Sequence, residues 1–258
     1  MKFGWKRLLL SSESEVFRMK WRIRHKAVTE STNKDALGGM PGDVFTADMQ
    51  TAGRGRLDHK WLSPPGENLM MSAVVDVTDI PPEEVATLPL VAGLSATEAI
   101  LDLFRGKDGN FTPDVTVKWP NDVHVDGRKI CGILCERSGD NVIVGMGVNV
   151  NQTVFALEIS DRATSVRLVM GKALPVDDVR DAVLGRLSSN VERWRKEGFA
   201  ALHAKLSAFD SLKGRQVAVR RTDDDSAPAS GICGGIRPDG MLNLAGEAIS
   251  AGEAHVMA

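Results

Sequence analysis

The sequence predicts an α+β protein: a mixed β-sheet flanked by helices, followed by a small all-strand module. Three observations carry this reading. Short apolar runs bounded by Gly, Pro, Asn or Asp recur up to Val148. Two long stretches with helical periodicity fall among and after them. Beyond Lys213-Gly214 the period changes to strand-like alternation. A chain of 258 residues with 43% hydrophobic content is long enough to bury a sizeable core.

In chain order, Trp21 to Ala27 reads as a strand, and Thr29 or Ser31 is placed to cap a short helix through Leu37. Strands are expected at Val44 to Met49 and Leu69 to Val77. Pro81 and Pro82 then open a long helix to Phe104, with Val85, Leu88, Val91, Leu94, Ile100 and Leu103 at helical intervals. Val115 to Trp119, Asp122 to Val125, Lys129 to Glu136 and Asn141 to Val148 supply further strands. Asp177 to Lys196 is amphipathic, with Val179, Val183, Leu187, Val191 and Trp194 on one stripe, and Phe199 to Phe209 continues helical. The last module alternates at Val217 and Val219, passes through the polar loop TDDDSAP, and resumes at Gly231 to Ile236 and Leu242 to Leu244. The expected organisation is an extension over 1–20, a main domain over 21–210 and a small domain over 211–258.

Bulk composition narrows the classes. A net charge of -2 gives no whole-protein attraction to nucleic acid, so the Arg54, Arg56 and Lys60 cluster is a local feature. Cys131, Cys135 and Cys233 lack metal-ligand spacing, and an odd count suits a reducing compartment. The N-terminal MKFGWKRLLL has an apolar run too short for a signal peptide, which needs roughly 7 to 15 residues. No stretch is expected to reach membrane-spanning length, so the expected location is the cytoplasm, away from membranes. His25, His124, His203 and His255 share no ligand or triad spacing.

Two segments carry chemistry. Lys118 to Lys129 reads KWPNDVHVDGRK, which places Lys118, Asn121, Asp122 and Lys129 on what is expected to be one apolar hairpin turning at Asp126-Gly127. Its bland alternative is a half-buried hairpin with solvated charges. The other segment runs from Gln50 to Trp61, with Gly53-Arg54-Gly55-Arg56 at its centre. Glycines let backbone approach an anion, and guanidinium groups present planar paired donors to carboxylate or phosphate. A flexible basic turn is the plainer reading, yet there is one copy here rather than a low-complexity repeat.

The chain resembles the biotin protein ligases. It carries in family order Ser31-Thr32-Asn33, the Gly53 to Arg56 loop with Trp61, the Lys118 to Asp122 segment with Arg128-Lys129, and Gly145-Met146-Gly147-Val148-Asn149. The resemblance implies a class II synthetase-like catalytic domain of the biotin/lipoate ligase type and an SH3-like β-barrel at the C-terminus, closing with Ser250, Gly252 and Glu253. It implies that ATP and biotin form biotinyl-5′-AMP with release of pyrophosphate, and that biotin then passes to a lysine of a biotin carboxyl carrier domain of a carboxylase. Lipoate ligation and a non-catalytic biotin-binding regulator are the alternatives. Lipoate lacks a ureido group, and a regulator would need a DNA-reading element, which has no room in the roughly 25 residues before the motifs.

Residue by residue, the resemblance implies catalytic roles for Lys129, Arg56, Asp122 and Arg54. Biotin would meet Ser31, Thr32, Asn33, Gln50, Gly53, Arg54, Arg56, Lys129, Gly132, Gly145 and Gly147. The nucleotide would meet Arg56, His59, Trp61, Asn121, Lys129, Asn149 and Ala163. Asp122 would either hold Mg²⁺ or orient the attacking lysine. A homodimer is a further expectation. The family loop often reads GRGRxGRxW, whereas Asp58 and His59 stand here at its second Gly-Arg; His59 is expected to act as a partial cation and Asp58 to cap the loop or pair with Lys60.

Overall fold

The computed structural model describes residues 20–57, 59–105, 113–221 and 228–257. The expected extension over 1–20, apart from Lys20, lies outside them, as do Asp58 and the acidic run Asp223 to Asp225.

Strands β1 (Arg22–Thr29), β2 (Asp43–Gln50), β3 (Leu69–Asp76), β4 (Val115–Lys118), β5 (Asp122–Val125), β6 (Arg128–Ser138) and β7 (Asn141–Val148) form one sheet in the order β1-β2-β3-β7-β6-β5-β4. Only the β1-β2 pair is parallel, which makes the sheet mixed as expected. β3 reads LMMSAVVD and is buried along nearly its whole length, as a central strand covered on both faces should be.

The helical layer is α1 (Thr32–Asp35), α2 (Pro82–Val85), α3 (Leu88–Arg105), α4 (Val166–Met170), α5 (Val176–Glu197) and α6 (Ala200–Ser207). The single helix expected from Pro81 to Phe104 is two. Thr87 sits at the break, its hydroxyl donating to Glu84 O at 2.6 Å and accepting from Trp194 Nε1 at 3.0 Å. A side chain that bonds a nearby carbonyl competes with the helical ladder. In α3 the small residues Ala92, Gly93, Ala96 and Ala99 allow close approach to the sheet and to α5, and Leu88, Leu94 and Ile100 are fully buried. Each such large side chain contributes about 1.5–3 kcal/mol on burial.

The stretch Pro82–Arg105 corrects another expectation. Its 24 residues, with a mean hydropathy of 1.4 in the best window, are long and apolar enough to cross a membrane. Most of that window is buried inside the protein, the situation of a core helix.

α4 was not foreseen, although its signals stand in the sequence. Ser165 caps it by accepting from Leu168 N at 3.2 Å, and Gly171 ends it in the left-handed region at φ 71°.

A second sheet follows, with β8 (Gln216–Arg220), β9 (Ala229–Ile236), β10 (Leu242–Leu244), β11 (Glu247–Ile249) and β12 (Glu253–Val256) in the order β11-β10-β9-β8-β12. It is antiparallel throughout and consistent with an SH3-like module. The expected barrel does not close, since β11 and β12 stand as unpaired ends among the described residues. Its core residues Val217, Val219, Leu242 and Ile249 join the same apolar cluster as the large sheet. Two contacts tie the C-terminal segment to the chemistry-bearing strands: Trp119 Nε1 donates to Gly240 O at 3.1 Å, and Ser211 N donates to Val117 O at 3.0 Å.

Candidate active site

The KWPNDVHVDGRK segment forms two successive hairpins rather than one. The first turns through the cis peptide Trp119-Pro120 and joins β4 to β5; the second turns at Asp126-Gly127 and joins β5 to β6. Asp126 and Gly127 have φ of 49° and 76°, the left-handed pair a two-residue turn requires.

Between β5 and β6 the register slips by one residue. Asp122 faces Gly132 and Val123 faces Cys131, but His124 faces Lys129, which leaves Ile130 as a bulge. In a regular strand Lys129 and Gly132, three apart, would point to opposite faces. The extra residue brings both to one side, so a Cβ added at Gly132 would lie 3.2 Å from Lys129 Nζ. Lys129 Nζ then sits 2.7 Å from Asp122 Oδ1.

These strands floor a cavity of about 460 Å³ whose wall is the Gln50 to Trp61 loop and whose rim includes β12. That volume suits a small-molecule ligand. The loop is a small hairpin of its own, with Gly55 N donating to His59 O at 2.6 Å, Trp61 N to Gly53 O at 3.0 Å, and a bridge between Arg54 and Lys60.

At one end of the cavity the STN segment is held by a polar cluster. Gln50 Oε1 accepts from Thr32 N at 2.8 Å and from Thr32 Oγ1 at 3.1 Å. Ser72 Oγ lies 2.7 Å from Thr32 Oγ1 and donates to Asn33 Oδ1 at 2.5 Å. Asn33 Nδ2 in turn donates to Glu136 Oε2 at 2.5 Å, an oxygen that also accepts from Arg54 Nη2 at 2.8 Å. Ser31 stands at the N-cap of α1 without a side-chain capping bond, and its side chain lines the cavity.

The other end is cationic. Six Lys or Arg residues line the cavity against the carboxylates of Asp122 and Glu253, so the site is locally positive in a chain of net charge -2. Arg56 Nη1 donates to Asn121 Oδ1 at 3.4 Å and to Gly252 O at 3.3 Å, and Asn121 is anchored through Nδ2 to Ile133 O at 2.7 Å. Burial pulls the Arg56 guanidinium below its usual range, opposed by Asp122 and Glu253. Burial likewise lowers the Lys118 ammonium, with Asp122 pulling the other way and Lys129 adding to the depression. Cations held out of water with few counter-charges are poised to take an anion. Burial also drives His124 down to about 4 and Cys131 up to about 12, so at neutral pH the imidazole is uncharged and that thiol unreactive.

The glycines have a spatial role. A Cβ at Gly145 would lie 2.1 Å from Asn33 Oδ1, and one at Gly147 would lie 2.4 Å from the Trp61 ring. Trp61 lies flat enough on this floor for Lys129 Nζ to stand 5.9 Å from its ring centroid.

The cavity thus gathers most of the residues singled out from the sequence, but three lie off its surface. Gly53 is buried where a Cβ would meet Trp61 O at 2.4 Å. Asn149 is buried with Nδ2 donating to Thr164 O at 3.0 Å, and Ala163 bridges the backbone of Lys129 from beneath. His59 Nε2 faces Glu253 Oε1 at 3.2 Å. Sequence reasoning missed Glu136 and Ser72. Glu136 had a signal: once Gly132 is assigned to the cavity face, period two puts Leu134 and Glu136 there as well.

The model of the Biotin/lipoate A/B protein ligase family matches residues 26–151. A Biotin--[acetyl-CoA-carboxylase] ligase of Mycobacterium tuberculosis is 34% identical over 176 residues, 66% of this chain and 64% of that protein, so the chain matches just under two thirds of its length. The protein of the same name from Paracoccus denitrificans is 32% identical over 235 residues, 86% of this chain and 93% of that one. Among solved structures, the biotin protein ligase from Aquifex aeolicus in complex with biotin and ATP superposes with a TM-score of 0.80 at 30% identity, covering 91% of this chain and 98% of that chain. With the ordered motifs gathered around one cavity and a relative matched along nearly its whole length, the chain belongs to the biotin protein ligase family.

Proposed function

We propose that the protein is an ATP-dependent biotin protein ligase. The observation that carries this reading is the continuity of one cavity from the Thr32, Asn33 and Gln50 cluster to Lys129, Asp122 and Arg56. A ureido ring needs donors and acceptors at one end; a carboxylate meeting a triphosphate needs cations at the other.

In this reading the biotin carboxylate attacks the α-phosphorus of ATP, the bond to the β-phosphate breaks, and pyrophosphate leaves. The acceptor lysine amine then attacks the carbonyl of the mixed anhydride, loses a proton, and releases AMP. Lys129 bridges the two reacting anions, Arg56 steadies carboxylate and phosphates, and Asn121 keeps Arg56 aimed. Asp122 holds Lys129 in place. Trp61 walls the nucleotide side, while Asn149 and Ala163 support Lys129 from beneath. Arg54, His59 and the glycine floor shape the pocket.

Magnesium would neutralise phosphate charge. Among the described residues no cluster of His, Cys, Asp and Glu is suited to bind a metal unaided. A single carboxylate, Asp122, fits an ion carried in by the phosphates, since Mg²⁺ is commonly held by one or two carboxylates plus phosphates and water.

The acceptor in this reading is a biotin carboxyl carrier domain, and the protein works in the cytoplasm as a homodimer. The exposed edge of β1, eight residues long at the end of the large sheet, favours pairing with a second copy. Light scattering that gives only monomer at micromolar concentration would remove the dimer. The deciding experiment is ATP-pyrophosphate exchange with biotin against lipoate: exchange with biotin alone is expected, and exchange with lipoate alone would overturn the assignment.

A further inference from the structure

The six cations that line the cavity differ in what they already hold. Arg54 is bonded to Glu136, Arg56 to Asn121 and Gly252 O, Lys129 to Asp122, and Arg162 to Glu158 O. Lys60 is exposed on its loop. Lys118, at the end of β4, is half-buried, and its ammonium makes no ion pair or hydrogen bond among the described residues. Its position follows from register. Gly147, Gly132, Asp122 and Lys118 are successive partners across β7, β6, β5 and β4, and residues directly opposite share a face. With neighbouring strands about 4.8 Å apart, this row runs roughly 14 Å along the cavity floor. Asn33 stands over the β7 end, against Gly145, and Lys129 Nζ stands midway, between Gly132 and Asp122. Lys118 lies beyond both, at the far end of the row.

In-line displacement decides what that end receives. The biotin carboxylate reaches the α-phosphorus from the Asn33 side and forms the new P–O bond. The bond to the bridging oxygen breaks on the opposite side, and its electron pair leaves with pyrophosphate. With the two reacting anions held at Lys129, the opposite side is β4. We infer that Lys118 is a catalytic residue that receives the departing pyrophosphate and offsets the charge that builds on its oxygen. This rests on the cavity being the biotin and ATP site. Burial pulls the Lys118 ammonium below its ordinary range, and Lys129 and Arg162 push the same way against Asp122 and Glu253. An arriving polyanion reverses that penalty, so the site gains most from an anion at the moment the leaving group acquires its charge.

The two half-reactions, measured separately on the whole protein, test this. Lys118→Gln should raise the KM for pyrophosphate in biotin-dependent ATP-pyrophosphate exchange by roughly ten- to a hundred-fold, as expected for one lost charge-assisted contact. The KM for biotin should stay within about three-fold, because the ureido end is remote from β4. Transfer of biotin from supplied biotinyl-5′-AMP to a carrier domain should also be unchanged, since no pyrophosphate takes part in it. Lys118→Arg, which keeps the charge, should recover most of the pyrophosphate KM. A Lys118→Gln variant with the wild-type KM for pyrophosphate overturns the inference. So does a loss that falls equally on transfer from supplied biotinyl-5′-AMP, the mark of a merely structural role, and so does a Lys118→Arg variant no better than Lys118→Gln. A wild-type protein that shows no biotin-dependent exchange overturns the functional reading beneath it, a failure visible before any variant is made.

Discussion

Gly145→Ala is the sharpest test of how the site is packed. Gly145 lies in the middle of β7 and adopts no left-handed backbone, so alanine is conformationally permitted and the penalty is purely steric. The added Cβ would stand 2.1 Å from Asn33 Oδ1, 2.9 Å from its Cγ and 3.0 Å from Nδ2, a collision with the whole amide plane. Asn33 has nowhere cheap to go. Moving it breaks the bond from Ser72, the bond to Glu136 and the longer one to Leu134 O at 3.3 Å. At about 1 kcal/mol for each neutral bond and somewhat more for the charged one, the loss is about 3 kcal/mol, or roughly a hundred-fold in affinity. The KM for biotin in pyrophosphate exchange should rise by about that factor, with a smaller change for ATP, which in the proposed reading meets the other end of the cavity. Gly185→Ala is the control, because nothing lies within 4 Å of its added Cβ in α5 and the change should stabilise by roughly 0.5–1 kcal/mol. Biotin affinity for Gly145→Ala within three-fold of wild type would refute the proposed place of Asn33 in the site.

Lys129→Ala should lose biotin-dependent exchange by roughly 10²–10³-fold, the usual effect of removing one charge-stabilising donor, while far-ultraviolet circular dichroism stays unchanged; near wild-type exchange would exclude the electrostatic role. His124 supplies a pH test. Its folded value of about 4 lies below the ordinary 6.5, so between these pH values the unfolded chain binds the extra proton and stability falls as the pH drops from 6.5 towards 4. The contribution is on the order of a few kcal/mol at about 1.4 per unit. His124→Leu should flatten that part of the urea-midpoint profile, and an unchanged slope would count against burial as the cause. Glu253→Ala should release His59 and speed amide exchange in the Gly53 to Trp61 loop by up to about five-fold, the most an exposed pair of this kind supplies; equal exchange rates would show that the latch carries nothing.

Strand runs were legible because apolar alternation and turn residues are local signals, and β5, β7 and β10 fall on the expected residues. The break at Thr87 was not legible, because it depends on Trp194 from a helix more than a hundred residues later. The same holds within the site. Arginines between glycines announce an anion loop by composition, but nothing local to Glu136 says that it will meet both Asn33 and Arg54, which stand 103 and 82 residues away in the chain. His59 is expected from the sequence to meet the nucleotide; its protein neighbour, Glu253, comes from the C-terminal sheet, a partnership that only the packing of the two sheets creates. β11 (EAI) and β12 (EAHV) are not marked as strands by their residues, since half or more of each is Glu and Ala, which are depleted in strands.

The one-residue surplus at Ile130 makes the chemistry a matter of parity. On either side of it the strand tolerates exchange of one apolar residue for another of like size, because the facing pattern is untouched. Regular pairing at unchanged length, with His124 opposite Ile130, would return Lys129 to the opposite side of the sheet from Gly132, against the buried packing, and present the Ile130 side chain to the cavity in its place. The segment is thus permissive towards spelling but strict about register, so a substitution that lets Ile130 pair with His124 should cost activity even where the core stays filled.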